Sequence, residues 1–429
     1  CLLFHSRLSI IDLSNLSNQP FDYKNYCMIY NGEIYNYIEL KSKLESKGYT
    51  FFSKSDTEVI LNLYIEYGTK CADKLNGIFA FALYDKEEKT IFLSRDHLGV
   101  KPLYYFSDNN FFSFSSEIKP ILYLTKINKS VSAEALSLWL TYRHVPSPYT
   151  LFDNIFKLPP GHSIIYDISK KKLEIKQYFR STSLESTSSF TNLSTQFQFK
   201  LEEAVKRQMI SDVPIGLMLS GGVDSAIIGS IMKKYSNDVS SYTVGFESSG
   251  NHNELDDARR TAKFLNLNHN EIILSNEAYL DFMEKSFYYL EEPIATPSAS
   301  AFFFVCKKAS RDVKVLLSGQ GADEPMAGYS RHLAFNYRNF IKLILNFSFV
   351  VDILKRSKKE QLRRSLYAFN NEDKLSTITN IFSVFSKKLK AQILLSNNFN
   401  DIERSIIQNI LGEQIQQDSL NTFLYADAR

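Results

Sequence analysis

Ile215-Gly216-Leu217-Met218-Leu219-Ser220-Gly221-Gly222-Val223-Asp224-Ser225 is an apolar run that passes through a glycine pair into a stretch with helical spacing. The two glycines admit positive φ and let a ligand approach the backbone closely. A helix that starts at once behind them offers unpaired N–H groups and the positive end of its dipole. That combination suits a phosphate or pyrophosphate. There is no GxxxxGK[ST] here, so the loop is not of the Walker type and no lysine grips a γ-phosphate. Outward from the loop, strand-like runs at 215–219, 240–246 and 313–317 alternate with helix-like runs at 201–209, 224–235 and 255–265. The alternation predicts an α/β fold, a doubly wound parallel sheet. The third of these strands ends in Ser318-Gly319-Gln320-Gly321-Ala322-Asp323-Glu324, whose GxG lacks the third glycine of a dinucleotide fingerprint. Asp224 and Asp323 would each follow the carboxyl end of a parallel strand, where such sheets bind ligands. Carboxylates repel a polyphosphate unless a divalent cation lies between them, so both are candidate ligands for Mg²⁺ on a pyrophosphate. The plain alternative is that each favours a helix N-terminus.

The first 165 residues read differently. Tyr26-Cys27-Met28-Ile29-Tyr30 is a β-rich run ending at Asn31-Gly32, a turn dipeptide. Residues 57–67 carry apolar side chains at helical spacing. Residues 78–84 and 90–94 bracket a charged turn, and 104–106 and 111–114 bracket Ser107-Asp108-Asn109-Asn110, so two hairpins are expected. A Ser/Thr-rich stretch at 181–194 reads as linker. From about 333 onward the chain reads as helical and polar. Its basic run Lys355-Arg356-Ser357-Lys358-Lys359 is read as a solvated helix face. The expected domains are residues 1–165, a linker at 166–195, and 196–429.

Length and composition agree with two domains. At about 150 residues per domain, 429 residues suggest two or three. Fifty Lys+Arg against 47 Asp+Glu leave +3, which gives no electrostatic case for nucleic acid or an anionic membrane as partner. The hydrophobic share of 44% fits a folded protein rather than a disordered one. The four cysteines, Cys1, Cys27, Cys71 and Cys306, form no CxxC pair. That argues against a disulfide framework or a cysteine zinc site and predicts a reducing, cytoplasmic setting. The seven histidines include no HExxH. No apolar run is long enough to span a bilayer.

The ordered motifs resemble the glutamine-dependent asparagine synthetase family, a class II glutamine amidotransferase joined to a PP-loop synthetase. Ser220-Gly221-Gly222-Val223-Asp224-Ser225 matches its pyrophosphatase loop. Arg7-Leu8-Ser9-Ile10-Ile11-Asp12, Asn31-Gly32-Glu33-Ile34-Tyr35-Asn36, Ser55-Asp56-Thr57-Glu58, Arg95-Asp96-His97-Leu98-Gly99 and Leu158-Pro159-Pro160-Gly161 match its glutaminase half. The resemblance implies an α+β N-terminal-nucleophile (Ntn) glutaminase domain, incomplete here, followed by an α/β ATP pyrophosphatase domain. It also implies the chemistry. Glutamine gives ammonia, a tunnel carries it, ATP adenylates a carboxylate, and ammonia displaces AMP to form an amide, in the parent case asparagine from aspartate. On this resemblance Asn31 and the Gly32 N–H form the oxyanion hole. Arg7 through Ile11 (Arg7, Leu8, Ser9, Ile10, Ile11), with Glu33 and Asp56, hold glutamine. Leu219, Ser220, Gly221, Gly222, Asp224, Ser225, Val244, Ser318 and Gly319 hold ATP, while Asp224 and Asp323 hold Mg²⁺. The implied partners are glutamine, ATP and aspartate or another carboxylate, with a homodimer among the expected assemblies. Plainer readings compete: a hairpin turn at Asn31-Gly32, a surface arginine at Arg7, and a helix N-cap at Asp56.

Two departures from the family pattern matter. Cys1 is followed by Leu2-Leu3-Phe4-His5-Ser6-Arg7, a stretch that in the family lies well after the nucleophile. Cys1 is therefore not read as the nucleophile, both ends are read as cut, and the chain as given is expected to lack glutaminase activity. Gln320 stands where the family usually has Glu or Asp, in a position tied to adenylate formation and ammonia attack. A neutral amide is no base. Two alternatives therefore stand beside the main reading: an amidotransferase with a non-aspartate acceptor, and a non-catalytic paralogue that binds glutamine or nucleotide.

Overall fold

The computed structural model describes residues 1–123, 129–181, 188–247, 254–293, 296, 298–369, 373–394, 402–412 and 420–427. Among them the strands are β1 (Phe21–Tyr23), β2 (Tyr26–Ile34), β3 (Gly77–Asp85), β4 (Thr90–Arg95), β5 (Tyr104–Ser107), β6 (Phe112–Ser115), β7 (Ile155–Lys157), β8 (His162–Asp167), β9 (Lys172–Gln177), β10 (Ile215–Met218), β11 (Ser240–Phe246), β12 (Asn268–Leu274) and β13 (Val315–Ser318). The helices are α1 (Tyr37–Glu45), α2 (Asp56–Tyr67), α3 (Ile118–Leu122), α4 (Ala133–Tyr142), α5 (Phe190–Gln208), α6 (Val223–Tyr235), α7 (Leu255–Leu265), α8 (Asn276–Leu290), α9 (Ser298–Ala309), α10 (Asp323–Met326), α11 (Ser330–Asn336), α12 (Arg338–Leu345), α13 (Ser348–Arg356), α14 (Glu360–Phe369), α15 (Lys374–Phe382), α16 (Lys387–Leu394), α17 (Ile402–Leu411) and α18 (Leu420–Asp427). They group into two compact units. One comprises Cys1–Leu124, Lys157–Tyr289 and Pro297–Gly319; the other comprises Thr125–Phe156, Leu290–Thr296 and Gln320–Arg429.

The first unit holds both sheets expected from the sequence. Its antiparallel sheet runs β1-β2-β3-β4-β8-β9. Inward residues of β2 and β3, among them Met28, Tyr30, Ile34, Phe79, Phe81 and Leu83, meet the buried face of α2, Val59, Ile60, Leu61 and Leu63. Both expected hairpins form, β3–β4 and β5–β6. Two expectations fail. Asn31-Gly32 is not a turn: β2 continues through it to Ile34, paired Asn31↔Ala80, Gly32↔Phe79 and Glu33↔Ile78. The partner strand lies beyond both α1 and α2, so no local dipeptide signal could announce it. The stretch assigned to linker from 166 onward also holds the end of β8 and all of β9, which pairs with β8 along Lys172–Gln177. Its Lys-Leu-Glu-Ile-Lys-Gln sequence reads as polar because it is an edge strand, largely exposed. Helix α5 starts at Phe190, inside the Ser/Thr-rich stretch, with Ser189 accepting from the Asn192 N–H as its cap.

The second sheet is all parallel, in the order β12-β11-β10-β13. Leu217 and Leu219 meet Val205, Ile231, Met232, Ala258 and Ala262 of α5, α6 and α7 on one face. Tyr242 meets Val305 and Ala309 of α9 on the other. This is the doubly wound arrangement. Strand β12 and helices α8 and α9 escape the sequence reading. Asn268-His269-Asn270-Glu271 opens β12 with four polar residues, which hides its period. The strand order reverses between β10 and β13, so the crevice beyond their carboxyl ends is the topological switch point where such sheets take ligands.

The second unit is helical, as the polar reading of residues 333–429 leads one to expect. Its core joins Phe335, Leu375, Ile378, Ile407, Leu411 and Phe423. The ring of Phe423 stacks between Phe335 and Phe382, with centroids 4.6 and 5.2 Å away. The basic run straddles the end of α13, with its lysines and Arg356 exposed. Among the described residues no helix is long and apolar enough to cross a membrane.

Candidate functional site

Two glycines bring β2 and β3 close together at one end of their pairing. Gly32 has φ +149°, and a Cβ there would lie 2.1 Å from the Ile78 carbonyl oxygen. On the facing strand, a Cβ on Gly77 would lie 2.2 Å from the Glu33 carbonyl oxygen. The close approach of β2 and β3 around Asn31-Gly32-Glu33 therefore needs glycine on both strands. The Arg95–Gly99 and Leu158–Gly161 motifs brace this spot. The buried Asp96 carboxylate accepts from the N–H groups of Phe79, Leu98, Val100 and Lys101 at 2.9–3.2 Å. The Arg95 guanidinium donates to the carbonyls of Lys101, Leu158 and Gly99 at 2.6–2.7 Å. Phe79, the register partner of Gly32, is thus held from behind.

Two carboxylates stand beside the glycine pair. Asp56 is the first residue of α2 rather than its cap; Ser55 is the cap and accepts from Thr57 N–H. The buried Asp56 Oδ2 accepts from Tyr30 Oη at 2.8 Å and Ile34 N–H at 3.0 Å. Burial nonetheless pushes its carboxyl up from the usual range. The Glu33 carboxyl is pushed up to about 7, by burial first and then by the Asp56 charge, against the opposing pull of Lys101. Its Oε1 is buried without a hydrogen-bond partner. An ammonium group would supply the hydrogen bond that this oxygen lacks. Glu58 completes the Ser55–Glu58 motif by accepting from Phe52 N–H, Ser53 N–H and Ser53 Oγ.

Arg7 is not a free surface arginine. Its guanidinium donates to the carbonyls of Ile11, Asp12 and Ser14 at 2.5–3.2 Å, so the loop 7–14 folds around it. Arg7, Leu8, Ile10, Ile11, Asn31, Gly32, Glu33 and Asp56 line one cavity of about 1580 Å³ in the first unit. Ser9 is not in its wall; Cys1 is. The wall also includes Lys314, Val315, Leu316 and Leu317, which lead along β13 to Ser318. A pocket for one small molecule usually takes about 300–1,000 Å³, so this cavity exceeds the needs of one amino acid. Tyr30, Lys101 and the β13 wall are the neighbours of this cavity that sequence reasoning missed. For Tyr30 a signal existed: the alternation Met28-Tyr30 puts it on the face that meets α2.

The Ser220–Ser225 loop stands at the carboxyl end of β10. Ser225 Oγ accepts from Ser220 N–H at 3.1 Å, Ser220 Oγ accepts from Gly222 N–H at 3.1 Å, and Glu254 Oε2 accepts from Gly221 N–H at 3.3 Å. A carboxylate oxygen on the Gly221 N–H marks it as a donor suited to an anion. Gly319 closes the loop from the β13 side. A Cβ there would lie 2.7 Å from Ser225 N and 2.8 Å from Asp224 Cβ, so only glycine lets the two strand ends converge. Leu219 is buried, with its N–H donating to Tyr242 O at 2.9 Å, and the half-buried Val244 lies further along β11. Asp224 is exposed in the first turn of α6. Gln320 and Asp323 belong to the second unit, where Asp323 opens α10 and packs so tightly on Gly328 that a Cβ there would meet its carboxylate.

Comparison with known proteins matches the same two halves. Residues 1–179 match the glutamine amidotransferase domain family and residues 196–428 the asparagine synthase family. "Asparagine synthetase [glutamine-hydrolyzing] 1" of Bacillus subtilis is 33% identical over 425 residues, 98% of this chain and 67% of that protein. "Asparagine synthetase [glutamine-hydrolyzing] 3" of the same organism is 33% identical, over 76% of this chain and 56% of that protein. "Asparagine synthetase B [glutamine-hydrolyzing]" of Escherichia coli is 32% identical, over 76% and 57%. With one family spanning more than half of the chain and a relative at this identity along nearly all of it, the chain belongs to the glutamine-dependent asparagine synthetase family and is a carbon–nitrogen ligase of that type.

Proposed function

We propose that this chain is the ATP-dependent amide-forming part of an enzyme that, in its intact parent form, takes nitrogen from glutamine and works through an acyl-adenylate, with aspartate as the acceptor and asparagine as the product. The cavity of the first unit carries the reading: one continuous space joins the residues expected to hold glutamine to the strand that ends at Ser318-Gly319. Glu33 and Asp56 offer carboxylates to the ammonium of glutamine, and the Gly32 N–H and Asn31 amide would donate to the developing oxyanion. In the intact parent, ammonia released there would move within this space toward the nucleotide end.

At that end the chemistry needs an electrophile, because a bare carboxylate resists ammonia. The Ser220–Ser225 loop, with the N-terminus of α6 behind it, binds the pyrophosphate tail. Leu219, Val244, Ser318 and Gly319 would meet the rest of ATP. Asp224 and Asp323 are the hard oxygen donors available for Mg²⁺, which takes one or two carboxylates together with phosphate and water. Asp224 fits this, since it is exposed at the mouth of the loop. When bound, the ion neutralises pyrophosphate charge.

Gln320 favours a second reading, in which the acceptor is a carboxylate other than aspartate, because its amide cannot take a proton from attacking ammonia. The test is product analysis with ATP, Mg²⁺, aspartate and either glutamine or ammonium chloride. The main reading expects AMP, pyrophosphate and asparagine in equal amounts with ammonium chloride as the nitrogen source. AMP release only with another carboxylate moves the assignment to the second reading. Unchanged ATP with every acceptor overturns both in favour of a binding paralogue.

A further inference from the structure

Two backbone groups of the loop 7–14 are held from outside the antiparallel sheet by one residue. Asp12 N–H donates to Asp212 Oδ2 at 2.8 Å, and Asp212 N–H donates to the Ile10 carbonyl at 3.0 Å. These reciprocal bonds join positions 200 residues apart. Asp12 is otherwise committed. Its φ is +54°, and its carboxylate accepts from Ser14 N–H at 3.0 Å and Lys54 N–H at 2.7 Å, next to Ser55 and Asp56. The carbonyls of Ile11 and Asp12 are occupied by Arg7. The loop therefore has two anchors, Lys54 on the glutamine side and Asp212 on the other.

Asp212 lies in the turn between α5 and β10, where Ser211 Oγ accepts from Val213 N–H. Strand β10 follows at once, clamped between β11 and β13. Its far end enters the Ser220–Ser225 loop. The two loops thus sit at opposite ends of a single central strand, which is stiff because it is paired on both edges and cannot shift at one end alone.

We propose that Asp212 is a positioning residue that ties the glutamine-binding loop to the phosphate-binding strand, so that the two sites share a coupling free energy transmitted through β10. The proposal rests on the glutamine and nucleotide assignments above. Linkage makes the coupling reciprocal: if nucleotide tightens glutamine by some factor, glutamine tightens nucleotide by the same factor.

Calorimetry on the whole chain tests this, with glutamine titrated in the absence and presence of saturating Mg²⁺ and a non-hydrolysable ATP analogue. The unaltered chain is expected to bind glutamine roughly 5- to 150-fold more tightly with nucleotide, the ordinary range for site-to-site coupling. Asp212→Ala removes the acceptor and should bring that ratio to one. Asp212→Asn keeps a carbonyl acceptor for Asp12 N–H and should retain most of the ratio. A merely structural role would weaken glutamine binding in Asp212→Ala while leaving the ratio intact, and that result overturns the proposal. Arg207→Ala serves as control, because its 2.7 Å ion pair with Glu39 also joins the two halves but does not touch the loop. Should Asp212→Ala fail to fold, Asp212→Ser, too short to reach Asp12, carries the same expectation. If the unaltered chain binds nucleotide but no glutamine, the glutamine assignment falls and this inference with it. If it binds both with a ratio of one, only the inference falls.

Discussion

Gly32 shows how a single residue sets the geometry of the proposed glutamine site. Its absent side chain leaves room for the Ile78 carbonyl, and alanine would put a carbon 2.1 Å from that oxygen. The obstacle is backbone, held through Phe79 by Asp96, so it cannot swing aside. Gly32→Ala is expected to cost more than about 3 kcal/mol in urea unfolding and to abolish glutamine binding measured on whatever folds. Glu33 carries a different prediction. Its folded carboxyl is raised to about 7. A raised acid stabilises the fold at low pH and loses that contribution as pH climbs through 7, because the buried charge is then forced on the site. Glutamine reverses the sense, since its ammonium favours the ionised form. Affinity for glutamine should therefore rise about tenfold per pH unit up to roughly pH 7 and level off above it. Glu33→Gln should bind weakly with a flat profile and be the more stable protein at pH 8. A glutamine affinity independent of pH between about 6 and 8 in the unaltered chain would contradict this.

At the scale of elements, the difference between what was legible and what was not follows sequence distance. Helix α7 and strand β11 end where their apolar periods end, and both hairpins announce themselves by charged or Asx-rich turns. The strand–glycine–helix turn at Ser220–Ser225 was legible for the same reason, because its three parts are contiguous. The course of the chain at Asn31-Gly32 was not, since this pair carries the local signature of a turn and becomes strand only through pairing with β3. The Arg95–Gly99 motif was visible as wording but its work was not. Asp96 satisfies four backbone N–H groups, one from β3 and three from the turn after β4, while Arg95 ties that turn to Leu158. Asp96→Ala would leave those donors buried and unpaired. A loss of about 3–5 kcal/mol is expected in chemical denaturation, together with failure of glutamine binding, even though Asp96 touches no part of the proposed substrate. Asp96→Asn, which keeps acceptor oxygen but must place an NH₂ against N–H donors, should fall between the two.

For the molecule as a whole, the division into units is the feature the sequence concealed most. The second unit takes α4 and its flanks from the middle of the chain and joins them to the helices after Gln320. Its sequence reads as helical and polar, yet some of its charges are interior. Lys390 of α16 and Glu403 of α17 are each about 4% exposed and paired with one another. Lys390 also donates to Thr141 Oγ1 at 2.7 Å, and Ser137 Oγ donates to Glu403 at 2.8 Å, both from α4. Burial would raise the Glu403 carboxyl, but the bonds from Lys390 and Ser137 outweigh it and hold the carboxyl below its usual value. A charge pair inside a helical unit contributes little net stability while both partners are present, because desolvation offsets the attraction. Its removal is asymmetric. Lys390→Met alone leaves a buried carboxylate uncompensated and should cost about 3–5 kcal/mol. The double change Lys390→Met with Glu403→Leu removes both charges and should recover most of that loss, short of about 1 kcal/mol for the hydroxyl of Ser137 left without its acceptor. Amide exchange should localise the single variant's loss to α4, α16 and α17 and spare the sheets of the first unit. Equal losses in the single and double variants would mean that packing, not the unpaired charge, decides the stability of this unit.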